Sequence, residues 1–254
     1  MSLSWRNRTR IALCADRVIV LRTDGRKVVS RDIHACAGNA ATGTLETLLA
    51  GPDLKKTDAT LILSSHFVKF MVLPLDASLS MAEQRALAQH RFSEVYGEPE
   101  SGWEIRLSEG NPVLASAVEK GFLDTLKLAF DASGVRLKSM QPYLMAAFNA
   151  ARGQMKEDSA WFVLAEPGIC CIARLQDGQW QGVRLSRGAI TGAQLEREAM
   201  LAASDADRTI YLCAPENPDV RIGGNWKVQA LHCGPVTGIP TGEAGLYAMA
   251  SVGM

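Results

Sequence analysis

A chain of 254 residues with 27 basic and 27 acidic side chains has no formal net charge, which argues against the basic face that nucleic-acid phosphates demand. With 47% hydrophobic and 21% charged residues, it reads as globular, long enough for one large domain or two modest ones. No run approaches the roughly 18 consecutive apolar residues that span a bilayer, and the basic Met1–Arg10 segment is followed by too short an apolar run for a secretory signal. A cytoplasmic protein without direct membrane insertion is therefore expected.

In chain order, Ile11–Ala15, Val18–Arg22 and Lys27–Ile33 read as three strands. Ala15-Asp16-Arg17 forms the first turn and Asp24-Gly25 the second. Asp-Gly between strand-like runs predicts a type I′ hairpin, whose two central residues both need positive φ. Thr42–Ala50 reads as a short helix stopped by Gly51-Pro52. Ala59–Ser64, apolar and bounded by polar residues, reads as a strand buried on both faces.

A different block follows, over residues 65–134. Phe67–Leu73 is strand-like. Ser80-Met81-Ala82-Glu83 has capping-box spacing and opens a helix to Tyr96. Trp103–Leu107 and Val113–Val118 are short strands, and Glu119–Ser133 is an amphipathic helix with Phe122, Leu123, Leu126 and Phe130 in one stripe. Val135–Met140 then reads as a strand and Pro142–Arg152 as a helix.

The first order of elements then returns. Trp161–Ala165, Ile169–Leu175 and Trp180–Leu185 flank Glu166-Pro167-Gly168 and Asp177-Gly178. Thr191 opens a helix to Ala203 with capping-box spacing, and Thr209–Ala214 is the next buried strand. Three strands, a helix and a strand thus occur twice. The expected fold is a duplicated α/β architecture: first lobe 10–64 plus 135–158, inserted α/β subdomain 65–134, and a shortened second lobe 159–254.

The cysteines read as structural. Cys14, Cys170, Cys171 and Cys213 lie within apolar runs, where cysteine behaves as a small hydrophobe. Cys36 and Cys233 lie near strand ends. There is no CxxC or CxxH pair, so no metal site is expected. His34, His66, His90 and His232 are dispersed. Ser64 and His66 share a strand face, yet no Gly-x-Ser-x-Gly elbow or evident acid accompanies them.

The doubled meander with an insertion in its first half resembles the actin-like (ribonuclease H-like) ATPase fold. The stretch "PVLASAVEKGFLDTLKLAFDASGVRLKSMQPYLMAAFNAAR" at Pro112–Arg152 and "SSHFVKFMVLPL" at Ser64–Leu75 are similar to segments of PilM-type pilus assembly proteins and of the cytoplasmic part of GspL-type secretion proteins. That resemblance implies a cytoplasmic scaffold, peripheral to the inner membrane, that docks the short tail of a bitopic inner-membrane partner in a type IV pilus or type II secretion-like assembly.

In the actin-like family the first turn of each meander wraps phosphate, with glycines that admit the backbone N–H groups and a hydroxyl that adds a donor. Here the first turn keeps Asp16 and Arg17 but has neither glycine nor hydroxyl. The second keeps Glu166 and Gly168 but contains Pro167, which has no N–H. These positions read as vestigial phosphate turns, so no cofactor and no catalysis are expected. An actin-like ATPase or kinase with atypical loops that binds ATP-Mg is the alternative, and a stand-alone domain with an unknown ligand a third reading. Phe92 and Tyr96, on the helix of the inserted block, read either as core or as walls of a partner-peptide groove. The sequence carries no signal for an oligomeric state.

Overall fold

A computed structural model of the chain describes residues 8–37, 40–76, 78–202, 208–232 and 236–254. Cys233 and Ala203 lie outside them. By compactness the chain divides into two units, residues 1–67, 121–150 and 233–254 in one, 68–120 and 151–232 in the other.

The first unit is built on a five-stranded sheet. β1 (Arg8–Leu13), β2 (Arg17–Asp24) and β3 (Lys27–Ala35) form an antiparallel meander. The helix α1 (Ala41–Ala50) then returns the chain so that β4 (Asp58–Leu63) pairs parallel to β1. β4 carries Ala59, Leu61, Ile62 and Leu63, none more than 2% exposed, which explains its unbroken apolar run.

The inserted segment of the second unit is a three-stranded sheet of order β5-β7-β6, from β5 (Lys69–Leu73), β6 (Trp103–Leu107) and β7 (Val113–Glu119). It is covered by α2 (Met81–Tyr96), whose Ser80 and Glu83 form the expected capping box. The amphipathic α3 (Lys120–Ser133), read as part of the insertion, groups from Gly121 onward with the first unit. There Phe122 stacks on Phe67 at 5.0 Å, and Leu123, Leu126 and Phe130 are buried. β8 (Arg136–Pro142) completes the first sheet beside β4, in the order β3-β2-β1-β4-β8, and α4 (Tyr143–Ala151) follows.

The second meander repeats the first residue by residue. β9 (Ala160–Glu166), β10 (Ile169–Gln176) and β11 (Gln179–Arg187) stand in the registers of β1, β2 and β3 at a constant shift of 152 residues, Arg17 matching Ile169 and Lys27 matching Gln179. Even the bulge recurs: Val29 is the extra residue in β3 and Gln181 in β11. The helix α5 (Gly192–Leu201), capped by Thr191 and Gln194, leads to β12 (Thr209–Cys213), parallel to β9.

One turn departs from the sequence reading. Asp177 (φ +51°) and Gly178 (φ +73°) form the type I′ turn expected of Asp-Gly. In the first meander Asp24 still pairs with Lys27, so the loop is Gly25-Arg26. Only Gly25 has positive φ, the arrangement of a type II′ turn. The Asp-Gly pair sits one position earlier relative to the strands, and the shared register decides the turn type.

Two elements had no clear sequence signal. β13 (Lys227–Ala230) is a short, largely exposed edge strand, parallel to β12 in the order β11-β10-β9-β12-β13. The helix α6 (Ala244–Ser251) buries Tyr247 through Ser251 and therefore shows no amphipathic period. It packs on β1, β2 and β4 of the first unit. Residues 233–254 accordingly group with the first unit, although they read in sequence as part of the second lobe. The link between β12 and β13, residues 214–226, contains no helix.

Candidate functional site

The two meander turns are where the sequence reading places the residual chemistry. In the first unit the backbone N–H of Cys14 donates to the Arg17 carbonyl at 2.9 Å, and the N–H of Cys36 donates to the Asp16 carbonyl at 2.6 Å. The turn is therefore closed on itself by main-chain bonds. Asp16 projects outward, its side chain 58% exposed, and pairs with Arg17 at 3.3 Å. With the carboxylate in solvent and the arginine side chain largely buried, the pair is still screened on the Asp16 side and is worth about 1 kcal/mol. Its chemical consequence is that an acid already neighbours the arginine that would have to meet a phosphate.

In the second unit Glu166 pairs with Ile169 across Pro167-Gly168. Proline fixes its own φ near the value that the second turn position requires, and Gly168 takes φ +76° at the third, the pattern of a type II turn. Gly188 donates its N–H to the Gly168 carbonyl at 2.9 Å, the counterpart, 152 residues on, of the Cys36–Asp16 bond. Glu166 and Gly168 thus bracket one turn. Pro167 removes a main-chain donor from it, and a cradle for phosphate depends on successive free N–H groups. Burial, assisted by the Glu166 charge, holds the Cys171 thiol well above its ordinary range. Among the described residues no group of three or more His, Cys, Asp or Glu side chains is placed to hold a metal ion.

Phe92 and Tyr96 are neighbours, their rings stacked at 5.7 Å. Phe92 is 0% exposed and packs among Leu73, Leu75, Ala88 and Trp103, so it is core and presents no wall to a peptide. Tyr96 is 41% exposed. Its hydroxyl donates to the Phe70 carbonyl at 3.1 Å, and the Lys69 ammonium lies 5.9 Å from its ring centre. Of the two, Tyr96 is the residue that a partner can touch. Ser64 Oγ lies 3.0 Å from His66 Nδ1, but at 1% exposure the hydroxyl is out of reach of a substrate.

The sequence reading missed the ion pair between Arg184 Nε on β11 and Glu198 Oε2 on α5, at 2.8 Å. Glu198 is only 9% exposed. Its one sequence signal is position, since it follows Leu195 by three residues and precedes Ala199, both of them buried on the same helix.

No family model matches the chain, and no curated protein does. Solved structures do match. A Bacteroides thetaiotaomicron protein of unknown function with an actin-like ATPase fold superposes with a TM-score of 0.59 at 12% identity, over 83% of each chain. The cytoplasmic domain of EpsL, an inner-membrane component of the Vibrio cholerae type II secretion system, gives 0.57 at 12% identity, over 90% of each chain. A chain of the PilM-PilN type IV pilus biogenesis complex gives 0.63 at 8% identity, over 98% of this chain and 95% of that one. The fold is actin-like. Two meanders repeated at a fixed shift, each closed by a parallel strand after a helix, are its core, and the first carries the insertion between β4 and β8. At these identities the likeness concerns the fold alone.

Proposed function

We propose that this chain is a cytoplasmic, non-catalytic actin-like scaffold of a pilus-type or type II secretion-like assembly, docking the short cytoplasmic tail of a bitopic inner-membrane partner. The reading rests above all on the turns. The two meanders match each other down to a shared bulge, while the first turn has no glycine or hydroxyl and the second contains Pro167. Each turn offers a phosphate few main-chain donors and presents a carboxylate of its own, Asp16 in the first unit and Glu166 in the second. Support for the setting comes from the pilus and secretion structures that share the fold over nine-tenths or more of this chain.

A scaffold that recruits a membrane protein needs a surface, not a closed cleft. Tyr96, half exposed beside Lys69, is the residue at which docking of an extended peptide would be felt first. The chain would then sit at the inner membrane through its partner; among the described residues no helix is long and apolar enough to cross a bilayer. The alternative is an actin-like ATPase or kinase with atypical loops. One observation favours it: both turns retain an acid, Asp16 and Glu166, of the type that could organise Mg²⁺.

The docking claim is tested by fluorescence anisotropy with labelled peptides spanning the cytoplasmic tails of bitopic proteins encoded beside this gene. Saturable binding of one of them, weakened in Tyr96→Ala, is expected. Failure of every such tail to bind would remove the docking role.

A further inference from the structure

In the second unit a cavity of about 350 Å³ opens between the β10–β11 hairpin and the C-terminal end of α5. Its volume lies within the range of small-molecule sites, roughly 300–1,000 Å³. It belongs to the sheet face that carries α5, where Trp161 and Ile172 pack with Leu195 and Ala199. Leu201, largely exposed at the helix end, adds to the apolar lining.

The backbone does not force this space to be empty. Gly182 faces it opposite Arg174, just after the bulge at Gln181. A Cβ built at Gly182 meets nothing within 4 Å, and its φ lies outside the left-handed region. Glycine there is thus not demanded by conformation, and what it does is leave room. In the first meander the matching positions are Ser30, Val29 for the bulge, and Asp32 in place of Arg184, so the gap and the Arg184 charge are particular to the second meander, while Arg174 is matched by Arg22.

The charged lining is fixed by its neighbours. Arg174 is tethered at 3.1 Å to the carbonyl of Ala202, which caps α5, and at 3.2 Å to Gln176. Arg184 is tethered through Nε to the buried Glu198. Among the described lining residues two guanidinium groups and one carboxylate leave a single net positive charge; Arg197, 3.9 Å from the other oxygen of Glu198, is not part of the lining. A phosphate, carrying about −1.5 to −2 near neutral pH, would exceed that charge and face both Glu198 and the partial negative charge of the helix end. A monoanion matches it.

We propose that this cavity binds a small organic monocarboxylate with an apolar body, the carboxylate on the Arg174–Arg184 side and the body against Trp161, Ile172 and Leu201. The test is an amide-shift titration of the full ¹⁵N-labelled chain with phenylacetate, phenyl phosphate and benzyl alcohol. For a ligand of this size, saturation by phenylacetate at millimolar concentration is expected, about tenfold tighter than by the other two. The largest shifts should fall on Gln181–Arg184 and Leu201–Ala202. No saturable shift, a pattern centred elsewhere, or equal or tighter binding of phenyl phosphate or benzyl alcohol overturns the proposal. Gly182→Val, which fills the space, and Arg184→Gln should each abolish the shifts while the far-UV spectrum is unchanged. Persistence of binding in either variant overturns the proposal as well.

Discussion

At the scale of single residues, the side chain that ties the sequence ends of the first unit together is Arg10. It is half buried on β1, and its Nε donates to the Ala250 carbonyl at 2.7 Å while Nη2 reaches the carbonyl of Val252. These are orphan carbonyls at the C-terminal end of α6, and a guanidinium satisfies both at once. Hydrogen bonds to a charged group contribute about 1.5–3 kcal/mol each, so Arg10→Ala should cost about 3 kcal/mol in urea unfolding. Hydrogen exchange should accelerate in α6 ahead of the sheet. Arg10→Lys, with one point donor in place of a fork, should recover only part of the loss. Equal exchange rates in α6 of the variant and the parent would show that the contact does not hold the helix.

The thiols differ just as sharply. Burial raises the Cys171 thiol well above its ordinary value and raises Cys170 despite its hydrogen bond to Ser186. A raised thiol pKa lowers the thiolate fraction, and the thiolate is the nucleophile. Iodoacetamide at pH 8 should therefore label Cys36, which is half-buried, well before Cys14, Cys170, Cys171 or Cys213, which are buried. Mass mapping of the labelled peptides checks the order; early labelling of Cys171 would contradict it.

At the scale of elements, the turns carry the argument. Gly168 holds φ +76°, a region where a Cβ costs roughly 1–2 kcal/mol. Gly168→Ala should destabilise the fold by about that amount, whereas Asp16→Ala, at a position without positive φ, should change stability by less than about 1 kcal/mol. If both substitutions cost the same, the two turns are not built as described.

The helix α2 adds a pH dependence. The Ser80 hydroxyl and backbone N–H both bond the Glu83 carboxylate, which lowers its pKa from the ordinary 4.5. A depressed folded-state value means that the cap's contribution is present above pH 4.5 and is lost as the pH falls through the lower folded value. The protection of the Ser80 amide, its exchange rate relative to that of an unstructured peptide at the same pH, should fall there, and protection unchanged between pH 5 and 3 would contradict the bond.

Most elements were legible because local chemistry and burial agreed. The capping boxes at Ser80 and Thr191, the apolar run Ala59–Leu63 and the stripe of α3 all pointed to their elements. α6 was illegible because its sequence is apolar almost throughout, with Tyr247–Ser251 buried, and so has no polar face. β13 was illegible because an exposed edge strand needs no apolar alternation. The Arg184–Glu198 pair depends on the approach of a strand and a helix 14 positions apart in sequence, which no local pattern encodes.

At the scale of the whole molecule, the repeat separates architecture from chemistry. Strand registers, bulge and the main-chain bond behind each first turn are kept at a constant shift, yet of the matched strand residues of the two meanders only Arg22 and Arg174 share an identity. The fold therefore rests on pattern and packing, while the first turns carry Asp16-Arg17 and Pro167-Gly168, which on the proposed reading do not grip phosphate. Calorimetric titration of the intact chain with ATP and Mg²⁺, followed by a phosphate-release assay on the same sample, tests this directly. A scaffold with these turns should give no saturable heat and no released phosphate. Micromolar binding accompanied by hydrolysis, both lost in Arg17→Ala or Glu166→Ala, would contradict the non-catalytic account and establish the ATPase reading in its place.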